Sequence, residues 1–286
     1  MTRPAALNNK GVFPGGGRTF TRDFMWGKSM RFRPCIDIHN GKVKQIVGGT
    51  LKDLDNQAEE NFVSEKGGAW FAELYRRYGL SGGHIIMLNP AGSPYYEVTR
   101  EQALAALAAW PGGLQIGGGI TAENAAEFLS AGASHVIVTS YVFRDGKMDM
   151  GNLDRLTKAV GREHLVLDLS CRRRDSAYYI VTDRWQKFTD VRLTPRILRE
   201  LSSACSEFLV HAVDMEGKAS GIEAPVAELL GEYAGIPCTY AGGVGSYRDL
   251  ELLRERGRGR VDVTVGSALD LFGGPLEFEK VWEYCQ

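Results

Sequence analysis

Gly118-Gly119-Ile120 is followed, after a helical stretch, by His135-Val136-Ile137-Val138-Thr139-Ser140. Later in the chain Gly242-Gly243-Val244 is followed by a second helical stretch and then by Asp262-Val263-Thr264-Val265-Gly266-Ser267. The two passages are copies of one pattern. Gly118 aligns with Gly242 and Ser140 with Ser267, and the later copy is slightly longer, around 256–260. The agreement extends upstream, where Cys35-Ile36-Asp37-Ile38 aligns with Val166-Leu167-Asp168-Leu169. The chain therefore reads as two similar halves, 32–162 and 163–286. Each opens on a strand carrying an aspartate and closes with a Gly-Gly loop and a Ser-bearing strand end.

Outward from this repeat, short apolar runs occur at 34–38, 84–88, 113–116, 135–138, 165–169, 208–213, 237–240 and 261–265. Between them lie amphipathic stretches, such as 122–130 closed by Gly132 and 247–255 closed by Gly257. Strands alternating with helices imply a parallel sheet. Runs that are apolar throughout imply that both sheet faces are covered. Eight such units in about 250 residues predict an α/β fold, a (βα)8 TIM barrel built from two half-barrels. An open doubly wound sheet fits less well, because no G-x-G-x-x-G follows the first strand. Residues 1–30 set Arg3, Lys10, Arg18, Arg22 and Lys28 against Asp23 alone, with no apolar period. They read as a flexible extension, either a plain tail or a remnant of a transit peptide, since such peptides are Arg-rich and acid-poor. Residues 31–286 are expected to form a single barrel.

The 286-residue chain has a formal net charge of -1 and is 44% apolar. A nucleic-acid binder would be basic and patchy, so none is expected as a partner. No apolar run approaches the length of a membrane span, so no membrane partner is expected either. Glycine, at 35 residues, exceeds its usual share of about 7%, while proline is scarce at 10, so the excess points to turns and ligand loops. The cysteines at 35, 171, 205, 238 and 285 are odd in number and form no C-x-x-C, which fits a reducing compartment. The expected location is cytoplasmic, or the plastid stroma if 1–30 belongs to a transit peptide.

The doubled glycine loops carry chemistry. In a barrel each strand leads into a helix N-terminus, where backbone N–H groups meet phosphate and glycine permits close approach. Gly118, Gly119, Thr139 and Ser140 would form one phosphate site, and Gly242, Gly243, Gly266 and Ser267 the other. Two symmetric sites call for a ligand with a phosphate at each end. Asp37 and Asp168, on opposed strands, would flank its middle, where paired carboxylates suit general acid–base work. The histidines 39, 84, 135, 164 and 211 lack metal-ligand spacing, so no metal is expected. Arg172-Arg173-Arg174 and Trp185 fall in a long insertion after the fifth strand. The arginines read as solvated or as screening an anionic ligand. Trp185 reads as stacking on an aromatic base or as packing beneath the loop.

These motifs resemble the phosphoribosylformimino-aminoimidazole carboxamide ribotide isomerases of histidine biosynthesis, the eukaryotic, plant-like branch in particular. The likeness rests on 33–45, which includes Lys44, on 113–120, 165–170, 241–244 and 265–268, and on 178–185. It spans nearly all of 31–282. The resemblance implies a cofactor-free Amadori rearrangement of a bisphosphorylated ribotide by a monomer, with Lys44 among the substrate-binding residues and Trp185 stacking on the substrate. It implies Asp37 as the base at the sugar C2 and Asp168 as the acid opening the furanose ring. Where bacterial relatives carry a Thr at the end of the sixth strand, this chain has Ala212, and an acid role on that loop falls to Asp214 or Glu216. Thr121 replaces a common Arg and Thr139 a common Gly. The sister cyclase of the same pathway shares the barrel and both aspartates. The Trp185 insertion, and the absence of the cyclase's Lys pattern after the first strand, favour the isomerase. A non-catalytic phosphosugar-binding barrel is the remaining reading, and the retained aspartates speak against it.

Overall fold

The computed structural model describes residues 30–46, 60–233 and 235–286. The expected extension lies outside the described residues except for Met30, which is already buried in the core. Eight parallel strands follow in order: β1 (Cys35–His39), β2 (Gly83–Met87), β3 (Leu114–Gly117), β4 (Val136–Val138), β5 (Leu165–Asp168), β6 (Glu207–His211), β7 (Cys238–Ala241) and β8 (Val261–Thr264). Each is hydrogen-bonded to the next. β8 returns to the residues just before β1. Phe32 bridges Val263, the Arg33 N–H donates to Val263 O at 2.8 Å, and the Val263 N–H donates to Arg31 O at 2.9 Å. These bonds close the barrel, as the repeat predicts.

Eight helices surround it: α1 (Gly68–Arg77), α2 (Tyr96–Ala109), α3 (Ala125–Ser130), α4 (Met150–Val160), α5 (Pro195–Leu201), α6 (Ala224–Glu232), α7 (Tyr247–Arg256) and α8 (Phe278–Tyr284). Short polar side chains start several of them. Asp149, Thr194 and Ser246 each accept a backbone N–H from the first turn of α4, α5 and α7.

The pleat sorts each strand's residues. Ile36, Ile85, Ile116, Val136, Leu167, Phe208, Tyr240 and Val263 belong to the large core shared with the helices. Ile86, Ile137, Val166, Leu209 and Ala241 form a separate apolar cluster inside the barrel. At the end where the strands begin, Arg33, Glu207 and Asp262 are all nearly buried. Arg33 Nε donates to Asp262 at 3.0 Å and its guanidinium lies 3.6 Å from Glu207. Gln115 and Thr239 complete the Glu207 carboxylate, at 3.1 and 2.9 Å.

Observed strand ends differ from the expected ones by about one residue, except that β6 stops at His211 because Val213–Met215 turns into a 3-10 helix. Several elements were not foreseen, among them the strand Glu60–Val63 and the hairpin Phe143–Arg144/Lys147–Met148, and two others bear on the site. Asn40-Gly41, both at positive φ, makes a two-residue turn that reverses β1 into an antiparallel strand, Lys42–Ile46. Asn-Gly is the sequence that this turn favours. The insertion after β5 is a three-stranded antiparallel sheet, Cys171–Arg174, Ala177–Thr182 and Lys187–Arg192, rather than an unstructured loop.

Removing Arg33 leaves the buried Glu207 carboxylate without its cation, a loss of about 3–5 kcal/mol, while Asp262 keeps Arg31 at 2.8 Å. Arg33→Met should lower the urea midpoint accordingly while leaving the opposite end of the barrel, and ligand binding by the folded fraction, intact.

Candidate active site

All four acidic candidates stand at the end of the barrel where the strands finish. Asp37 sits within β1 opposite Ile86 of β2, and Asp168 is the last residue of β5. Asp37 and Glu216 line one cavity together with His84 and His211. Asp168 is buried behind that wall. Its Oδ1 accepts the Ser170 N–H at 2.8 Å and the Ser170 hydroxyl at 2.6 Å, and lies 3.6 Å from His211 Nδ1. Asp214 is engaged elsewhere. Arg172 Nε and the Arg173 N–H occupy its two oxygens, at 2.8 and 2.9 Å, and it does not line the cavity.

The electrostatics separate these groups. Desolvation, reinforced by the charge of Glu216 and opposed by His211, raises the Asp37 carboxyl to about 7. Desolvation also raises Glu216, again against the pull of His211. At Asp168 burial pushes upward, but His211 and the two Ser170 bonds prevail and hold the carboxyl below its usual value. Burial likewise works against the His211 cation, yet Asp168, with Glu216 and Asp37, raises it to about 9. His84, desolvated and beside His211, falls to about 3 and stays neutral. His84 and His211 meet edge to face at 5.9 Å.

The glycine loops obey the repeat. Gly118 and Gly119 have φ of +100° and +71°, Gly242 and Gly243 of +114° and +78°. A Cβ on Gly118 would strike the Met87 carbonyl, and one on Gly242 would lie 2.7 Å from the Ala212 carbonyl, so both positions demand glycine. The second-half site is assembled: Gly242, Gly243, Gly266 and Ser267 line the same cavity as Asp37. The Thr264 hydroxyl in that lining is buried and has no hydrogen-bond partner among the described residues. In the first half, Ser140 lines a separate hollow with Arg144, Thr182, Asp183 and Lys187, between the fourth-strand loop and the inserted sheet. Gly118, Gly119 and Thr139 line neither cavity. Lys44 is buried on the strand after β1, opposite Val63, and lines neither.

The inserted sheet reaches the site through Trp185. Its Nε1–H donates to the Ser170 hydroxyl at 3.1 Å, and its ring lies 5.7 Å from that of His211. Asp183, Arg184 and Trp185 all have positive φ, a strained run for non-glycine residues. The arginines serve the sheet. Arg172 pairs with Asp214, and Arg174 stacks on Tyr179 at 3.9 Å.

His84, Ser170 and His211 were not foreseen as site residues. The spacing of the histidines speaks only to metal binding, which it does not support. The usable signal was the alternation that turns Asp168 inward, which does the same for Glu207, Leu209 and His211 on β6. Among the described residues no group of His, Cys, Asp and Glu is arranged to hold a metal.

Because Glu216 helps to raise Asp37, its neutralisation has a definite sign. In Glu216→Gln the Asp37 carboxylate should form at lower pH than in the unmodified protein. Carboxyl-region infrared or ¹³C-aspartate NMR titration of the unliganded protein reads this, and an unmoved titration would place Glu216 too far away to couple.

Comparison with known proteins identifies the family. The family model described as "Histidine biosynthesis protein" matches residues 31–274. A chloroplastic 1-(5-phosphoribosyl)-5-((5-phosphoribosylamino)methylideneamino)imidazole-4-carboxamide isomerase of Medicago truncatula is 54% identical over 257 residues, covering 88% of this chain and 81% of that one. The isomerase of the same name from Neurospora crassa is 48% identical over 247 residues, covering 85% and 93%. That of Saccharomyces cerevisiae is 42% identical over 253 residues, covering 86% and 94%. With its eight closed β/α units and doubled glycine loops, the chain belongs to the histidine biosynthesis protein family.

Proposed function

We propose that the protein is an aldose–ketose isomerase. It converts the 5-phosphoribosylamino end of the imidazole carboxamide ribotide into the phosphoribulosyl form, an Amadori rearrangement within histidine biosynthesis. The observation that carries this reading is the single cavity joining Gly242, Gly243, Gly266 and Ser267 to Asp37 and His211. A phosphate on the glycine cradle would bring the attached sugar to a carboxylate that titrates near neutrality, where a general base works best. The unpaired Thr264 hydroxyl in the cavity wall is supplied with a partner by a polyhydroxylated ligand. The relatives named above are all isomerases, and none bears the cyclase's name. The Trp185 ring contact with His211, a residue of the cavity wall, supports a stacking role toward the flat aminoimidazole ring.

The base is Asp37, and the acid belongs to the cluster on β5 and β6. For the compartment we favour the plastid stroma. The composition of 1–30 and the chloroplastic relative support it, and a fluorescent-protein fusion of 1–30 distinguishes it from the cytoplasm. Among the described residues no helix is long and apolar enough to cross a membrane.

Purified protein should convert the aminoaldose ribotide to the aminoketose at a rate independent of ammonia. Ammonia-dependent release of an imidazole product would identify the cyclase instead. Asp37→Asn should lower kcat by at least ~10²-fold. Trp185→Ala should lower kcat/KM by about one to two decades, as stacking of ~1–3 kcal/mol requires. Intact kinetics with a lowered melting temperature in that variant would make Trp185 a packing residue.

A further inference from the structure

His211, rather than Asp168, faces the cavity from the β5–β6 side. Its ring is nearly buried at the end of β6, with Nδ1 3.6 Å from Asp168 Oδ1 and 3.3 Å from the Ser170 hydroxyl. Ser170 fixes that same carboxylate oxygen through two short bonds. The carboxylate therefore stands behind the imidazole and takes up its Nδ1 side, which leaves Nε2 for the substrate. A carboxylate placed this way fixes the ring's orientation and favours its protonated form.

On the isomerase reading above, we propose that His211 is the catalytic acid of this enzyme and that Asp168 is its positioning residue. An acid must hold a proton at working pH. The Asp168 carboxylate, pulled below its usual range, holds none, whereas the imidazole beside it does. The ring is surrounded by Asp168 from β5, Asp37 from β1 and Glu216 from the turn after β6, which favour its charge. His84 from β2 stays neutral, and Ser170 and Trp185 carry no charge.

The proton balance closes with two groups. His211 gives its Nε2 proton to the furanose oxygen as the C1–O bond breaks and the nitrogen lone pair forms C=N. Asp37 removes the C2 proton. The C–H pair becomes the C1=C2 bond, and the C=N pair returns to nitrogen. Ketonisation then delivers the C2 hydroxyl proton to His211, while Asp37 returns its proton to C1. Both groups finish in the state in which they began, and no oxidant or reductant enters.

The test combines pH–rate profiles with ¹³C-histidine NMR of the unliganded protein. In the unmodified enzyme kcat/KM should rise as Asp37 ionises near 7 and fall as His211 deprotonates near 9. His211→Asn and His211→Gln should each lose at least ~10²-fold in kcat together with the alkaline limb. Asp168→Asn should keep an alkaline limb but move it to lower pH, because the carboxylate no longer favours the imidazolium. The His211 resonance should move by the same amount, and this readout does not depend on turnover or on folding of the His211 variants. An alkaline limb that persists without His211, or an Asp168→Asn enzyme that loses the limb while His211 titrates unchanged, would overturn the assignment in favour of Asp168 itself. An unmodified protein that leaves the ribotide unconverted would instead overturn the isomerase reading.

Discussion

Five apolar side chains, Ile86, Ile137, Val166, Leu209 and Ala241, cross the barrel between two clusters of charge. Everything at the mouth depends on this plug. The two-residue repeat of a strand forces each one to step inward at fixed intervals. β6 goes from Glu207 to Leu209 to His211, and β5 carries Val166 and then Asp168. One strand thus contributes an ion-paired residue to the base, an apolar residue to the middle and a titratable residue to the mouth. In the low-dielectric middle layer neither cluster can borrow counter-ions from the other. Arg33 satisfies Glu207 and Asp262 where the strands begin. Asp37, Asp168, Glu216 and His211 must reach their own balance where the strands end.

The inserted sheet is tied to that balance at two points. Its first strand holds Asp214 through Arg172, which fixes the turn bearing Glu216. Its central turn places the Trp185 indole on Ser170, the residue whose hydroxyl also binds Asp168. Movement of this sheet therefore changes hydrogen bonding at the buried carboxylate as well as access to the cavity. Three consecutive residues at positive φ make the turn costly to hold, by roughly 1–3 kcal/mol each. The indole bond and the ring contact with His211 are what the structure offers in return. A ligand ring that accepted the indole face would compete with both.

The fold was legible in the sequence because the repeat is local and covalent. A Gly-Gly loop followed one unit later by a serine fixes both the unit and its duplication, and all eight barrel strands were located. The Asn40-Gly41 hairpin was equally visible in principle. It was missed because a β/α rhythm leads one to expect a helix after every strand, and Asn-Gly breaks that rhythm. Asp37, Glu216 and the second glycine cradle, which line one cavity, are legible because their residue types announce their chemistry. Asp168 was placed at the mouth, but not behind a histidine, since the depth of a side chain depends on neighbours from other strands. His211 meets Asp168 and Ser170 across about forty positions of sequence, a contact that no spacing rule reaches. Lys44 is buried on the strand after β1 and lines neither cavity, so the motif alone does not bring it to the site.

The deepest consequence of the duplication is how it was broken. Asp37 and Asp168 are equivalent by the repeat and end equivalent half-barrels, yet their environments drive them apart. Asp37 faces Glu216 with no short hydrogen bond to hold its charge, and it climbs to about 7. Asp168 has Ser170 and a histidine cation beside it, and it remains a carboxylate. Two groups of one kind are thus divided by environment, Asp37 titrating near neutrality in one half of the barrel and Asp168 staying charged beside His211 in the other. The division needs only the side chains that differ between the copies. Ser170 occupies the position two past Asp168, where the first half carries His39 two past Asp37, and His211 stands on a strand whose first-half counterpart carries Met87 or Leu88 near its end. A symmetric scaffold that binds a phosphate at each end would hold its ligand equally well in either direction. On the proposed reading, the Asp168–His211 pair on one side and Asp37 on the other would make only one of those directions productive.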